Sequence, residues 1–190
     1  MLKELHVKRN ILLALLAVFL FVGFSVAQSD PVGKVDECKI VLKETAKPNH
    51  WEVVVNYTND EPLFGMVFPL LIVSDKGKLT YDSTSFAGSR VENFAVKIPH
   101  EDTAFTNTGK GLKLNIGLIG SVGPEAYELQ KGSGVIARHF ISGDKGVTTA
   151  SITVDSTFIQ PANHIMGTMI DAKRSVKPAF SFERASADDD

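Results

Sequence analysis

Short segments in which apolar and polar side chains alternate are the feature that most constrains how this chain folds. Between positions 149 and 155, Ala150, Ile152 and Val154 are apolar, and every other residue is Ser, Thr or Asp. Successive side chains of a β-strand point to opposite faces, so this period of two predicts a strand with one buried and one solvated face. The segments Trp51–Tyr57 and Leu112–Leu118 repeat the pattern.

Turn-forming residues separate these segments, because Gly, Asn and Asp tolerate positive φ and Pro presets its own φ. They bound nine or ten predicted strands, which are residues 38–45, 51–58, 64–73, 79–86, 91–98, 112–119, 134–142, 149–155, 164–171 and 178–184. Many short strands without a long helical segment predict an all-β fold, a two-sheet antiparallel β-sandwich of about nine strands.

Three features depart from this regular pattern. The segment Phe64–Val73 is almost wholly apolar, as expected of a strand that is covered on both faces or bent across the sandwich. Pro69 interrupts it and has no N–H to donate, so we expect a bulge or a sheet edge there. The segment Pro124–Gln130 is the one helical candidate, with Pro at a suitable first position.

The first 27 residues have the three parts of a secretory signal peptide. Basic residues come first, the apolar run Ile11–Phe24 follows, and Ser25-Val26-Ala27 supplies small residues for cleavage after Ala27. The run is shorter than the ~20 residues of a membrane span, although an uncleaved anchor is the alternative. We therefore expect an exported protein, secreted or held at the cell envelope, that does not span the membrane after cleavage.

The rest of the chain reads as one domain. A polar lead occupies residues 28–37, the sandwich residues 38–184, and an acidic tail residues 185–190. With 44% hydrophobic residues the chain can bury a core. A net charge of −2 offers no electrostatic footprint for nucleic acid. Cys38 is the single cysteine, which excludes an internal disulfide; a buried position near the first strand is favoured over a reactive thiol.

Catalytic motifs are missing from the sequence. There is no Gly-x-Ser-x-Gly elbow and no phosphate-binding glycine loop. The histidines at 50, 100, 139 and 164 lack metal-ligand spacing, and His139 is expected to be a strand residue, although distant strands could still assemble a zinc site. Glu101 and Asp102 are a weak calcium candidate, with a solvated turn favoured. We therefore expect no enzyme activity and no cofactor.

Aromatic and acidic side chains supply the candidate binding residues. Trp51 and Tyr57 lie on the apolar face of their strand, so core packing is favoured over ligand stacking for both. Tyr127, in the predicted loop helix, is the better candidate for stacking on a sugar. Tyr81 and Asp82 complete the candidate set, although an outward polar face is the favoured interpretation of Asp82.

Several segments together resemble the cohesin-type and related carbohydrate-binding-module sandwiches. The resemblance covers about residues 38 to 184 and is carried by hydrophobic patterns. The segments are Val53–Pro69, Leu79–Phe86, Leu114–Ile119 and Gly132–Phe140, followed by the alternating strand Ala150–Asp155. It implies a nine-stranded jelly-roll from a bacterial exported protein, without catalytic activity, that binds a protein module or a polysaccharide at the cell surface.

Two other functional classes stay open at this point. An exported sandwich with exposed edge strands suits strand addition between copies, which would make the protein a structural subunit of an extracellular assembly. A small jelly-roll hydrolase is the other alternative, because residues far apart in sequence can converge in the fold.

Overall fold

The computed structural model describes residues 33–121, 127–157, 167–169 and 175–185. Within these ranges the chain forms eleven strands, one four-residue α-helix and one 3-10 turn. The strands are β1 Glu37–Glu44, β2 His50–Asn59, β3 Gly65–Ser74, β4 Leu79–Ser85, β5 Val96–Glu101, β6 Leu112–Ile119, β7 Gly132–Gly143, β8 Ile152–Ser156, β9 Gly167–Met169, β10 Ser175–Val176 and β11 Ala179–Arg184. Helix α1, Thr103–Thr106, joins β5 to β6, and the 3-10 turn, Thr149–Ser151, precedes β8.

The strands form two sheets that face each other across one core. The five-stranded sheet has the order β11-β1-β2-β7-β4, and the six-stranded sheet has the order β10-β9-β3-β6-β5. The sixth strand, β8, also pairs with β3. The described strand pairs are antiparallel except β1 with β11, which is parallel. The predicted two-sheet antiparallel β-sandwich is therefore confirmed.

The core consists of the side chains that the alternation placed on the apolar faces. On β2, Trp51 is 3% exposed and Tyr57 is fully buried, which confirms their assignment to the core. Ile152 and Val154 of β8 are buried while Thr153 and Asp155 are exposed, as their alternation predicts. Each core strand thus removes every second side chain from water, the main source of stability in a sandwich of this kind.

Pro69 lies where the pairing along one edge of β3 is interrupted. The register with β6 is continuous through Pro69, which lies opposite Asn115. On the other edge of β3, β9 pairs as far as Val67 and β8 pairs only from Leu70 onward. The Pro69 carbonyl still accepts from Thr157 N at 3.2 Å. The position without an N–H thus faces the gap between β8 and β9. Pairing along this edge of β3 is interrupted there, as expected for a proline within a strand.

Three local predictions are wrong in part. The predicted strand 91–98 begins only at Val96, because residues 91–93 form a turn that folds Val91 and Phe94 into the core. Residues 149–151 form the 3-10 turn rather than the start of β8. The predicted helix Pro124–Gln130 is absent from its described part, residues 127–130, where buried Leu129 instead forms a β-bridge with Leu63. Burial of apolar side chains accounts for the first and third differences, whereas the 3-10 turn buries none of its residues and leaves Ala150 exposed.

Cys38 is fully buried in β1, which confirms the structural interpretation of this thiol. Burial raises the pKa of Cys38 to about 12, so the thiol stays protonated and unreactive at neutral pH. The predicted signal peptide 1–27, residues 28–32 of the lead, residues 186–190 of the acidic tail and most of the predicted strand 164–171 lie outside the described residues. Within the described part of the chain, no helix has the length and apolarity needed to cross a bilayer.

Candidate functional site

The outward face of the six-stranded sheet carries apolar side chains. On β3, the residues Met66, Phe68, Leu70 and Ile72 point into the core, so the intervening residues point outward. We define the apolar face by its outward residues on β3, β5 and β6, which are Val67, Leu71, Val73, Val96, Ile98 and Ile119. Ile98 is 57% exposed and Ile119 is 37% exposed, the two largest hydrophobic exposures within the described sheet residues.

A single amide interrupts the apolar face. Asn115 of β6 lies between His100 of β5 and Pro69 of β3 in the strand register. Its side chain is 8% exposed, and its Oδ1 has no hydrogen-bond partner within the described part of the chain. A buried amide oxygen without a donor costs roughly 1–3 kcal/mol, so this position is destabilising for the chain alone.

A short helix marks one end of the apolar face. Lys113 of β6 lies outward beside Asn115, and its Nζ is 4.6 Å from the centroid of the Phe105 ring in α1. Asp102 caps this helix, its Oδ1 accepting from Phe105 N at 3.0 Å. Glu101 ends β5 and is half-buried. The weak calcium candidate Glu101 and Asp102 stays a prediction, with one Asp102 oxygen used as a helix cap.

The outward face of the five-stranded sheet is charged and internally paired. We define the charged face by Lys39, Lys43, Glu52, Arg138 and Glu183. Lys39 pairs with Glu183 at 2.8 Å and Arg138 pairs with Glu52 at 3.1 Å. A shallow groove of about 360 Å³ runs along this face over the side chains of Val41, Val54 and Val135. Charged side chains and outward valines thus line the same groove.

Tyr81 and Asp82 lie on edge strand β4 of the five-stranded sheet. Tyr81 is half-buried, and its ring packs edge-on against His139 with centroids 6.4 Å apart. Asp82 is exposed and accepts a hydrogen bond from Ser142 Oγ at 2.9 Å. The two residues are neighbours in sequence, but Tyr81 contacts the core side of the sheet whereas Asp82 is held by the next strand.

Tyr127 lies elsewhere, against the turn that precedes β5. It is 43% exposed, and its ring packs edge-on against Phe94 with centroids 5.7 Å apart. Gly120 approaches the same backbone so closely that a Cβ there would lie 1.8 Å from the Tyr127 carbonyl oxygen. The structure therefore separates Tyr127 from the pair Tyr81 and Asp82, and the binding role of all three stays a prediction.

His139 lies in β7 on the core side of the sheet, as its assignment to a strand predicts. It is 1% exposed, and its Nδ1 is 2.6 Å from Thr84 Oγ1. Burial lowers the pKa of His139 to about 4, so the ring is neutral at physiological pH.

Three carboxyl groups meet at one end of the sandwich. Asp36, Asp60 and Glu61 each offer an oxygen within 4.8 Å of the others, a spacing that would suit a cation. Their oxygens are also engaged by the protein, since Asp36 Oδ2 accepts from Tyr57 Oη at 2.5 Å and Asp60 Oδ2 accepts from Lys34 N at 2.6 Å. A hydrogen bond with Glu61, and then that from Lys34, lower the pKa of Asp60.

Arg90 ties this end of the sandwich together. Its Nη1 donates to the Tyr57 carbonyl at 2.9 Å, and its Nη2 donates to Asn59 Oδ1 at 2.8 Å and to the Gln130 carbonyl at 2.5 Å. Its backbone N donates to the Val135 carbonyl at 2.8 Å. One guanidinium thus joins the end of β2 to the segments on either side of it, a structural role that the sequence pattern did not reveal.

Similarity to known proteins is confined to structure. No protein-family model matches the chain, and no curated protein sequence matches it. A search of solved structures finds cohesins, including the sixth cohesin of scaffoldin B from Acetivibrio cellulolyticus, solved with a Cel5 dockerin mutant. That match has 12% identity, a TM-score of 0.56 and coverage of 80% of this chain and 98% of that chain.

A second match is the cohesin of the Coh-OlpA–Doc918 complex, a type I cohesin–dockerin complex from Clostridium thermocellum. It has 16% identity, a TM-score of 0.56 and coverage of 80% of this chain and 100% of that chain. The third cohesin of ScaC from Acetivibrio cellulolyticus, solved with a ScaB dockerin variant, has 14% identity, a TM-score of 0.52 and coverage of 80% and 99%. At these identities the matches establish a cohesin-like β-sandwich fold.

Proposed function

We propose that this protein is a noncatalytic recognition module that binds a folded protein partner through the apolar face. The observation that carries the proposal is the exposure of Ile98 and Ile119 on one sheet face. Exposed apolar side chains clustered on one surface are typical of protein–protein contact sites. On the charged face, the outward valines are buried or half-buried and lie beside ion-paired side chains.

Two further observations support a protein partner. The similar solved cohesins were crystallised in complexes with dockerin modules, which are proteins. The outward apolar side chains also continue across β3, β5 and β6 in the strand register, so they form one surface rather than isolated exposures. We therefore infer a dockerin-like partner, a small folded module with an apolar contact surface.

Export is part of the proposal and is supported by the N-terminal sequence pattern described above. A polysaccharide partner has less support. Tyr81 packs on His139 and Tyr127 packs on Phe94, so the two tyrosines do not form one stacking platform.

A capture experiment with a matched pair of variants tests the proposal. The purified protein is immobilised, exposed to secreted and envelope proteins of the source organism, and the captured protein is identified, purified and titrated against it. Ile98→Asp introduces a charge on the apolar face, and Val35→Asp introduces the same charge at a site that is 39% exposed and outside that face. We expect Ile98→Asp to weaken binding roughly 30-fold or more, the loss typical of an interface hot spot.

The control variant Val35→Asp should bind like the unchanged protein. An equal loss of partner affinity in both variants, or no loss in either variant, would contradict the assignment of the apolar face. Capture of nothing but further copies of the chain would replace the proposal with the structural-subunit alternative.

A further inference from the structure

A histidine lies inside the sandwich beside an edge strand. In the strand register, His139 of β7 lies opposite Val53 of β2 and opposite Thr84 of β4. Its Nδ1 is 2.6 Å from Thr84 Oγ1, and Tyr81 Oη is 2.8 Å from the same hydroxyl oxygen. Its Nε2 is buried and has no hydrogen-bond partner within the described residues. The neutral ring fits this arrangement, since one ring nitrogen then needs no acceptor.

Among the described residues, the side chains that neighbour His139 offer no charge to balance a protonated ring. The titratable group that faces His139 from β4 is Tyr81, and β2 presents the apolar Val53. Arg138 precedes His139 in the chain, and Glu52 precedes Val53. Both charged side chains lie on the outward side of the sheet, away from the His139 ring. Tyr81, whose ring contacts His139, packs against the hydrophobic core cluster.

The buried carboxyl groups are too distant to act as counterions. Asp36 and Glu61 are the buried acidic residues within the described chain. Asp36 bonds Tyr57, which lies opposite Gly134 in β7, and Gly134 is separated from His139 by roughly 17 Å of extended strand. An imidazolium at this position would therefore be an uncompensated buried charge with a second N–H lacking an acceptor.

Edge strand β4 is the nearest element that could open and admit water. Its one sheet neighbour among the described strands is β7, and the pairing is interrupted by a bulge between Tyr81 and Ser83. Leu79 is the only residue of β4 that is buried. A strand with one neighbour and little buried apolar surface opens at a lower free-energy cost than the whole domain unfolds.

We propose that His139 is an acid-sensitive latch: when its ring takes up a proton, edge strand β4 separates from β7 while the rest of the sandwich stays folded. Opening breaks the contacts of His139 with Thr84 and with the Tyr81 ring, and it places both N–H groups of the imidazolium in water. The folded, closed state binds the proton more weakly than the open state, so β4 is held fully above pH 6.5 and is released as the pH falls toward 4.

The size of the effect follows from the two proton affinities. With a pKa of about 4 in the closed state and the ordinary value of about 6.5 in the open state, the opening equilibrium should rise roughly 20-fold between pH 7 and pH 5. Most Asp and Glu side chains remain ionised at pH 5, so this interval separates the histidine from general acid denaturation.

Hydrogen exchange measured by mass spectrometry tests the latch on the full chain at pH 7 and pH 5, after correction for intrinsic exchange rates. Peptides covering Leu79–Ser85 should lose protection roughly 20-fold at pH 5, whereas peptides covering Trp51–Tyr57 should keep theirs. His139→Phe, which cannot titrate, should remove the pH dependence. The matched control His100→Gln, at an exposed histidine of β5, should retain it.

Three outcomes would overturn the latch. They are unchanged protection of β4 between the two pH values, equal loss of protection in β2 and β4, and a pH dependence that survives in His139→Phe. If that variant fails to fold, an NMR titration of the unchanged protein decides the question. The ring signal of His139 must then titrate together with the loss of the β4 amide signals, and independent titration of the two would refute the proposal.

Discussion

The outward faces of the two sheets use the same strand geometry for opposite purposes. On the five-stranded sheet, outward lysines and an arginine pair with glutamates over a row of valines. On the six-stranded sheet, the outward isoleucines, valines and leucine have no ion pair beside them among the described residues, and Ile98 is more than half exposed. The charged face is therefore complete within one molecule, whereas the apolar face would gain stability from a partner.

This difference separates folding from function in the sequence. In both sheets, every second side chain along a strand points into the common core, and this alternation determines the fold. The side chains between them point outward and do not have to be apolar for the chain to fold. Where they stay apolar, as at Val67, Leu71 and Ile98, the chain retains surface that folding does not need.

The largest effect should come from comparing two adjacent leucines on β3. Leu70 is fully buried in the core and Leu71 points outward, half-buried on the apolar face. Leu70→Ala should lower the free energy of unfolding by about 2–5 kcal/mol, because it removes packing and leaves a cavity. Leu71→Ala should cost under about 1 kcal/mol. Urea denaturation of both variants measures the difference.

The same leucine pair should behave in the opposite way toward a partner. Leu71→Ala should weaken binding, while Leu70→Ala should leave the affinity of its folded fraction unchanged. Equal stability losses at the two positions would show that the outward face is itself part of a core.

A smaller effect of opposite sign is expected at Asn115. Asn115→Leu removes the amide oxygen that lacks a donor and should raise the free energy of unfolding by about 1 kcal/mol. Partner affinity should stay unchanged, because the enclosed amide oxygen does not reach the surface. Asn56→Leu, an outward amide on the five-stranded sheet, is the matched control and should change neither quantity measurably. A less stable Asn115→Leu protein would show that the amide already has a donor.

The smallest effect should be found on the charged face. Glu52→Gln breaks the ion pair with Arg138. The Glu52 side chain is 22% exposed and the Arg138 side chain is 30% exposed. The cost should be about 0–1 kcal/mol and should shrink in high salt, since partly exposed pairs are screened by water and ions. Unfolding curves at low and high salt measure it, with partner affinity unaffected. A loss of affinity would place the charged face in the interface.

Much of the fold could be predicted from the sequence, because the alternation in β2, β6 and β8 is local and each strand shows it alone. The apolar face could not. Phe94, Val96 and Ile98 alternate with other residues, so the sequence predicts that their side chains lie on one face of a strand. In the structure, Phe94 lies before the strand begins at Val96 and follows a turn, so its side chain enters the core while Ile98 is exposed.

The candidate site depends on neighbours that only the fold supplies. Asn115 reads as an ordinary polar residue of β6, and the burial of its amide oxygen without a donor is seen only in the folded structure. The one available signal was the apolar run of β3, where both parities are apolar and a second covered face is therefore indicated. Tyr81, Asp82 and Tyr127 were selected by residue type and by the predicted element that holds each one, and neither shows whether side chains share a surface.

The most direct test of a docking role for the apolar face is a methyl NMR titration with the purified captured partner. The methyl signals of Ile98, Ile119 and Leu71 report on the apolar face, and those of Val41, Val54 and Val135 report on the charged face. We predict that the partner shifts the first set and leaves the second unchanged. Shifts confined to the valines of the charged face would contradict this account.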